Sequence, residues 1–312
     1  MTVIFIYHEI QIYGAGAALS NLELYHKKHG IPTAMLFLYD IRDLSFINKY
    51  TNPVVVCNTI LSYPIVDALS KLNIPTYWYI HEWIDSSHNW LQHFNHNIFH
   101  SNIKPIFVCH KSYENYKQHI PYIKNHMIMY NGISQDTLYN KVNEYIILKK
   151  EITIAMIGSI EDRKNQQLFI DNVFYKLKQP IRLILVGRML KQIQINPEYK
   201  ESILIIGHVS NALPYIESAD IIVSYSLNEV LPMHIIESFY CKKPVISTNV
   251  GGISEMIESD VNGYLIQPND SEMCLKYLNQ LIENKDLREK IGERAYETFL
   301  TKFEENVTFK LL

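Results

Sequence analysis

The 312-residue chain is expected to fold as an α/β protein of two tandem, doubly wound parallel-sheet units. Three observations carry that expectation. Short, nearly continuous apolar runs alternate with helical stretches, the pattern of strands covered on both faces. The series runs once through the first half, lapses in a charged stretch, and restarts. The length also exceeds what one core ordinarily serves.

The first run, residues 3–7, has no basic leader and reads as a strand, not a signal peptide. The loop Tyr13-Gly14-Ala15-Gly16-Ala17 turns it into a helix of about residues 17–29, closed by Gly30 at the C-cap. Strands follow at 33–39, 54–58, 76–80, 106–109 and 127–130, and Asn131-Gly132-Ile133 ends the half as a turn. Residues 134–151 carry charge without apolar periodicity and read as the connection. The second series places strands at 152–157, 182–186, 203–206, 221–224 and 244–247, and the tail from Ser271 to Leu312 is helical and charged. The expected division is 1–140, 150–295, and a helical tail 296–312 packing back toward the first domain. Ligands of open α/β sheets bind beyond the carboxyl ends of the strands, so a cleft lined by those loops is expected.

Composition narrows the function classes. Twenty-nine basic and 32 acidic residues leave a net charge of -3, which argues against a nucleic-acid partner. Cys57, Cys109, Cys241 and Cys274 form no close pair. Neither a zinc ribbon nor a disulfide framework is indicated, and reduced thiols in a cytoplasmic setting are expected. No run approaches 18 apolar residues, so no membrane span is expected. Aromatic and basic residues at 113–124 suit a peripheral membrane contact or an acceptor glycan, and a plain amphipathic helix explains them equally. His93, His96 and His100 share one helical face, but a solvated amphipathic helix accounts for them better than zinc, and no metal site is expected.

The densest chemistry lies in Ser226-Leu-Asn-Glu229-Val-Leu231-Pro232-Met233-His-Ile-Ile-Glu237, directly after a strand. Pro232 suits the first helical position, and the free N–H groups after it make an anion site. Glu229 lies beside that site. Glu237, eight residues on, falls at the rim of the stripe Met233, Ile236, Tyr240. Both glutamates also read as ordinary surface carboxylates.

Gly158, after the strand 152–157, allows close backbone approach, and Arg163 and Lys164 supply cations at that strand end. Cations opening a helix oppose its dipole, so a bound anion would explain them. Small residues Gly14 and Gly16 let a ligand reach the start of the first helix. The third glycine position of a dinucleotide fingerprint is Leu19, which disfavours a dehydrogenase. His81-Glu82 ends the strand 76–80, where a neutral histidine can bond a sugar hydroxyl or serve as a structural residue. Gly251-Gly252-Ile-Ser-Glu255 adds backbone N–H groups and a third carboxylate.

Glu229 and Glu237, with Pro244-Val-Ile-Ser and Gly251-Gly252-Ile-Ser-Glu255, resemble the C-terminal signature of the retaining glycosyltransferases of family four, of GT-B fold. Arg163-Lys164-Asn165, the Gly14–Gly16 loop, Asn131-Gly132-Ile133 and Asn262-Gly263-Tyr-Leu-Ile fall in that family's order. The resemblance implies a nucleotide-sugar donor on the second domain, an acceptor on the first, and no obligatory metal or other cofactor. It implies Glu229 on the sugar ring, Glu237 on the ribose, Lys164 with a neighbouring cation on the diphosphate, Gly16 near the phosphate, and His81 at the transferred sugar. The expected reaction is retaining transfer of one sugar to a hydroxyl acceptor, a glycan or a lipid- or protein-linked saccharide. Lys164, Glu229 and His81 are the expected catalytic set.

This sequence departs from the family where Ser159 stands for a usual arginine and Val230-Leu231-Pro232 replaces Gly-Phe-Gly. It is also shorter than most members. The rivals are an epimerase, which needs no acceptor, a phosphorylase, which needs free phosphate, and a non-catalytic module that binds nucleotide or glycan without turnover.

Overall fold

The computed structural model describes residues 1–8, 14–84, 98–99, 102–142 and 151–311. They divide into two compact units, Met1–Ser134 with Glu304–Leu312, and Gln135–Phe303. The division differs from the expected one at both joints. Residues 135–142 form a helix of the second unit, and only 304–312 of the tail belong to the first.

The first unit runs β1 (Thr2–Tyr7), α1 (Gly14–Lys28), β2 (Thr33–Phe37), β3 (Pro53–Asn58), α2 (Tyr63–Lys71), β4 (Thr76–Ile80), β5 (Ile103–Phe107), α3 (His110–His119) and β6 (Met127–Ile128). Its strands are parallel, in the order β2-β1-β3-β4-β5-β6. Val3, Ile4, Phe5, Ile6 and Tyr7 are each at most 3% exposed, which is why β1 reads as an unbroken apolar run: both faces are covered. The core gathers Ile4, Ile6, Val55, Trp78, Ile80 and Phe107.

β5 starts three residues before its expected position. Pro105 lies within the strand, opposite Trp78. β6 pairs only with Ile106 and Phe107, so one side of β5 is an edge at Pro105, where a missing N–H is tolerated.

The second unit runs α4 (Gln135–Val142), β7 (Ile152–Ile157), α5 (Gln166–Asn172), β8 (Ile181–Val186), β9 (Ile203–Gly207), α6 (Leu213–Ser218), β10 (Ile221–Ser224), α7 (Met233–Tyr240), β11 (Val245–Thr248), α8 (Ile253–Met256), β12 (Tyr264–Ile266), α9 (Ser271–Glu283) and α10 (Lys285–Thr298). The parallel order is β12-β11-β10-β7-β8-β9, the Rossmann arrangement. β12, three residues long, is a strand the periodicity did not disclose. Ile154, Leu183, Leu185, Val223, Ile246 and Phe169 lie in its core.

The last helix, α11 (Glu305–Thr308), returns to the first unit. Lys28 Nζ donates to Glu305 Oε1 at 2.9 Å and to Ser134 Oγ at 2.6 Å, and Phe309, fully buried, meets Tyr25 edge-on. No described helix is long and apolar enough to cross a membrane. The four cysteines are buried and free. The histidines at 93, 96 and 100 lie outside the described residues.

Candidate functional site

The strand order of the second unit reverses between β7 and β10, which pair directly through Ile154 with Ile221 and Ala155 with Ile222. At such a switch point the two chain crossovers leave in opposite directions and open a crevice beyond the strand ends. The loop after β7 carries Arg163 and Lys164, and the loop after β10 carries Glu229. Sheet topology therefore joins groups 65 residues apart.

The loop after β7 is a single 3-10 turn, Asp162–Lys164, ended by Asn165 in the left-handed conformation at φ +61°. That reversal keeps Arg163 and Lys164 out of α5, which begins at Gln166, and removes the expected conflict with a helix dipole. The Lys164 ammonium bonds directly to Glu229 Oε1, and the two side chains are only 11% and 9% exposed. Ser226 Oγ donates to the same oxygen at 2.9 Å. Arg163 Nη1 lies 3.6 Å from Glu229 Oε2 and donates to Asn228 O at 2.9 Å, while its Nη2 reaches Glu161 Oε1 at 2.8 Å. Leu227 N donates to Arg163 O at 2.7 Å, so the two loops are also tied through backbone.

Burial drives the Glu229 carboxyl up. The charges of Lys164, His234 and Arg163 and the Lys164 hydrogen bond outweigh it and hold the group below its ordinary range. Glu229 is thus a carboxylate at neutral pH, fixed by a cation and a hydroxyl.

Glycines set the backbone spacing. Gly187, after β8, adopts φ +152°, and a Cβ there would stand 1.9 Å from Gly158 O. Gly158 in turn faces the Lys164 side chain, with a Cβ position 3.2 Å from Cε. Gly251 adopts φ +53°, and its Cβ would stand 1.7 Å from Glu229 O. Gly252 N donates to Val230 O at 2.8 Å. The Gly251-Gly252 turn therefore clamps the backbone of the glutamate loop.

Pro232 is the N-cap of α7, with ψ 127°, and Met233 is the first helical residue, one position later than expected. An extended N-cap is the ordinary entry conformation, and proline's fixed φ suits it as well. Leu231 is buried, and Met233 is half-buried at the helix start. Glu237 is half-buried one turn on, within electrostatic reach of the Cys241 thiol.

His234 escaped the sequence reasoning. It is 8% exposed in the first turn of α7, and its Nε2 has no hydrogen-bond partner among the described residues. Burial, helped by the charges of Lys164 and Arg163 and opposed by Glu229, lowers it to about 3. A polar residue one step past Met233, on a helix opening at a strand end, was the available signal.

In the first unit, Gly14 opens α1 and Gly16 lies buried in its first turn. Asn58 Nδ2, at the end of β3, donates to Ala15 O at 3.2 Å and fixes that turn against the sheet. His81 follows β4 with its ring against Tyr79, and burial, with the nearby His8, lowers it to about 3. It is a neutral imidazole at any ordinary pH. A groove of about 750 Å³ at Asp260, Tyr264 and Lys285 shares no lining residue with the Lys164–Glu229 corner.

Residues 140–298 match the family model described as Glycosyl transferases group 1. An uncharacterized glycosyltransferase of Methanocaldococcus jannaschii is 27% identical over 58% of this chain and 53% of its own. The N-acetyl-alpha-D-glucosaminyl L-malate synthase of Bacillus anthracis is 26% identical over 54% of this chain and 49% of its own. The chain thus spans about half the length of these curated relatives. HepE of Anabaena, solved in complex with UDP, superposes with a TM-score of 0.78 over 100% of this chain and 98% of that one, at 16% identity. That likeness shows the fold, two Rossmann-like parallel-sheet domains of the GT-B class.

Proposed function

The chain belongs to the glycosyl transferases group 1 family, and from that premise we propose that it moves one sugar from a nucleotide diphosphate sugar to a hydroxyl acceptor, with retention at the anomeric carbon. The observation that carries the reading is the Lys164–Glu229–Arg163 constellation at the switch point of the second unit. HepE has been solved with UDP and with UDP-glucose, which supports a nucleotide diphosphate sugar as the donor class.

Departure of a diphosphate develops negative charge. Lys164, Arg163 and the free N–H groups opening α7 are fixed positive dipoles and charges suited to receive it. Lys164 and Glu229 hold each other in place without donor, so binding shares an ammonium that is already oriented. Glu229 accepts hydrogen bonds from sugar hydroxyls, and Glu237 from the ribose. Leu231, Pro232, Met233 and the Gly251-Gly252 turn shape the donor side. A carboxylate engaged by both Lys164 and Ser226 is a poor nucleophile, so no protein nucleophile is assigned. The bond from the anomeric carbon to the leaving phosphate breaks, the bond to the acceptor oxygen forms on the same face, and the acceptor proton passes to the leaving phosphate. The cations supply the charge that a metal supplies elsewhere, so we assign no metal. A glycan or lipid-linked saccharide is the acceptor class, and the cytoplasm the compartment.

Transfer and hydrolysis of UDP-glucose and other nucleotide sugars, assayed on the wild type and on Lys164→Ala and Glu229→Ala, test the reading. Loss of one fixed cation is expected to slow the reaction about 10²–10³-fold. Wild-type rates in both variants would sink the mechanism. Donor binding with no turnover across an acceptor panel would leave a binding module instead.

A further inference from the structure

The two cations at the switch point stand in different surroundings. The Lys164 side chain is 11% exposed and engaged by Glu229, whereas the Arg163 side chain is 43% exposed. An arginine so open to solvent ordinarily samples many rotamers, and ordering it on a ligand costs entropy. Here it is ordered beforehand. Arg163 Nη2 donates to Glu161 Oε1 at 2.8 Å, and Nη1 donates to Asn228 O at 2.9 Å. A planar fork held at both prongs keeps one orientation. The other N–H donors of the guanidinium make no hydrogen bond among the described residues.

Glu161 is itself built into place. Its Oε1 also accepts from Ser159 Oγ at 2.5 Å. Gln166, buried at 3% exposure, donates from Nε2 to Ser159 O at 2.8 Å and accepts at Oε1 from Glu161 N at 3.4 Å. A buried amide therefore fixes Ser159 and Glu161, and these two fix the guanidinium. Asp162, the next acid of the loop, is paired instead with Lys191 on the loop after β8.

Stability does not account for the arrangement. The Glu161 side chain is 27% exposed, and an ion pair this open adds little to folding. Charge does not account for it either, because a carboxylate beside the cation weakens the attraction for a diphosphate. What Glu161 supplies is direction.

We propose that Glu161 is a positioning residue of the donor site, which together with Ser159 holds the Arg163 guanidinium in the one orientation ready for the departing diphosphate. The inference rests on the transferase reading and adds to it the side chains that orient its second cation. A cation already in place needs no reorganisation as the leaving charge develops, so orientation counts for more in the transition state than in the bound donor.

Turnover of UDP-glucose and other nucleotide sugars, by hydrolysis or transfer, tests it on Glu161→Ala, Glu161→Gln, Arg163→Met and the double variant Glu161→Ala/Arg163→Met. Glu161→Ala is expected to lower kcat at least about tenfold and leave KM within about threefold, because lost orientation and lost repulsion offset each other in binding. Glu161→Gln keeps an amide oxygen for Arg163 and Ser159 and removes the negative charge. It is expected to hold kcat within about threefold of the wild type and to lower KM. Arg163→Met is expected to lose at least as much kcat as Glu161→Ala, and adding Glu161→Ala to it to change kcat by less than about twofold, since Glu161 acts only through Arg163. The variants are expected to melt within about 2 °C of the wild type, as exposed pairs do. A Glu161→Ala variant as fast as the wild type overturns the proposal and leaves the transferase reading standing. So does a loss that Glu161→Gln shares, or one that adds in full to the loss in Arg163→Met. A wild type that turns over no nucleotide sugar overturns the reading and the proposal together.

Discussion

Two buried imidazoles and two carboxyls give this chain a pH profile with opposing limbs. His81 and His234 are lowered to about 3 from 6.5, burial being the first cause in each. Below 6.5 the unfolded chain binds protons that the folded one refuses, so the stability they contribute is lost as pH falls from 6.5 toward 3. Glu229, held below its ordinary value, acts in the same direction, and its contribution is present above 4.5 and fades below it. Glu82 opposes them. Burial raises its folded value to about 7 from the ordinary 4.5, so its contribution is present in acid and lost as pH rises through that window. Urea midpoints at pH 5 and pH 7 are expected to be lower at pH 5 for the wild type, with a smaller difference for His234→Leu. An unchanged difference would mean that His234 is protonated at little cost. The same residues show the reach of sequence reading. Glu229 and Lys164 are legible because charge beside a strand end is conspicuous. His234 is not, because nothing in Pro232-Met-His-Ile-Ile says which face of the helix is buried.

Contacts between elements, not propensities, fix the backbone at the strand ends. Gly187 and Gly158 sit after neighbouring strands β8 and β7, and a side chain at Gly187 would meet the Gly158 backbone. Gly187→Ala is expected to destabilise the protein by about 2 kcal/mol or more, from a positive φ and a Cβ driven into a carbonyl. Denaturant titration checks this, and a loss under about 0.5 kcal/mol would mean that the two loops part freely. The final element shows the same dependence across a longer span of chain. Phe309 is fully buried against Tyr25 of α1, and Lys28 joins Glu305 to Ser134. Truncating it, Phe309→Ala, is expected to cost about 3–5 kcal/mol, read as a lower melting temperature of the first unit. Sequence could read the tail as helical. It expected a tail from residue 296 to pack back toward the first unit, whereas only the last nine residues do, because an amphipathic segment does not carry the point at which it leaves one surface for another.

At the scale of the whole molecule, two parallel sheets with separate cores let ligand linkage be read unit by unit. All three tryptophans, Trp78, Trp83 and Trp90, fall in the stretch Met1–Ser134, so tryptophan fluorescence reports on the first unit. A nucleotide bound by the second unit at about 100 times its Kd adds about 2.7 kcal/mol to that unit. UDP is therefore expected to raise the calorimetric transition more than the tryptophan-detected one. Equal shifts would show that the units unfold as one. The sequence by itself determined the alternation of strands and helices, the restart at the second unit, and the residue types at the strand ends, because hydrophobic period and turn chemistry act over a few neighbours. Only the tertiary structure decided that β10 lies beside β7, so that Glu229 meets Lys164 and Arg163 reaches the backbone of Asn228. Strand order and close backbone approach are settled by packing between distant segments, and no local pattern encodes them.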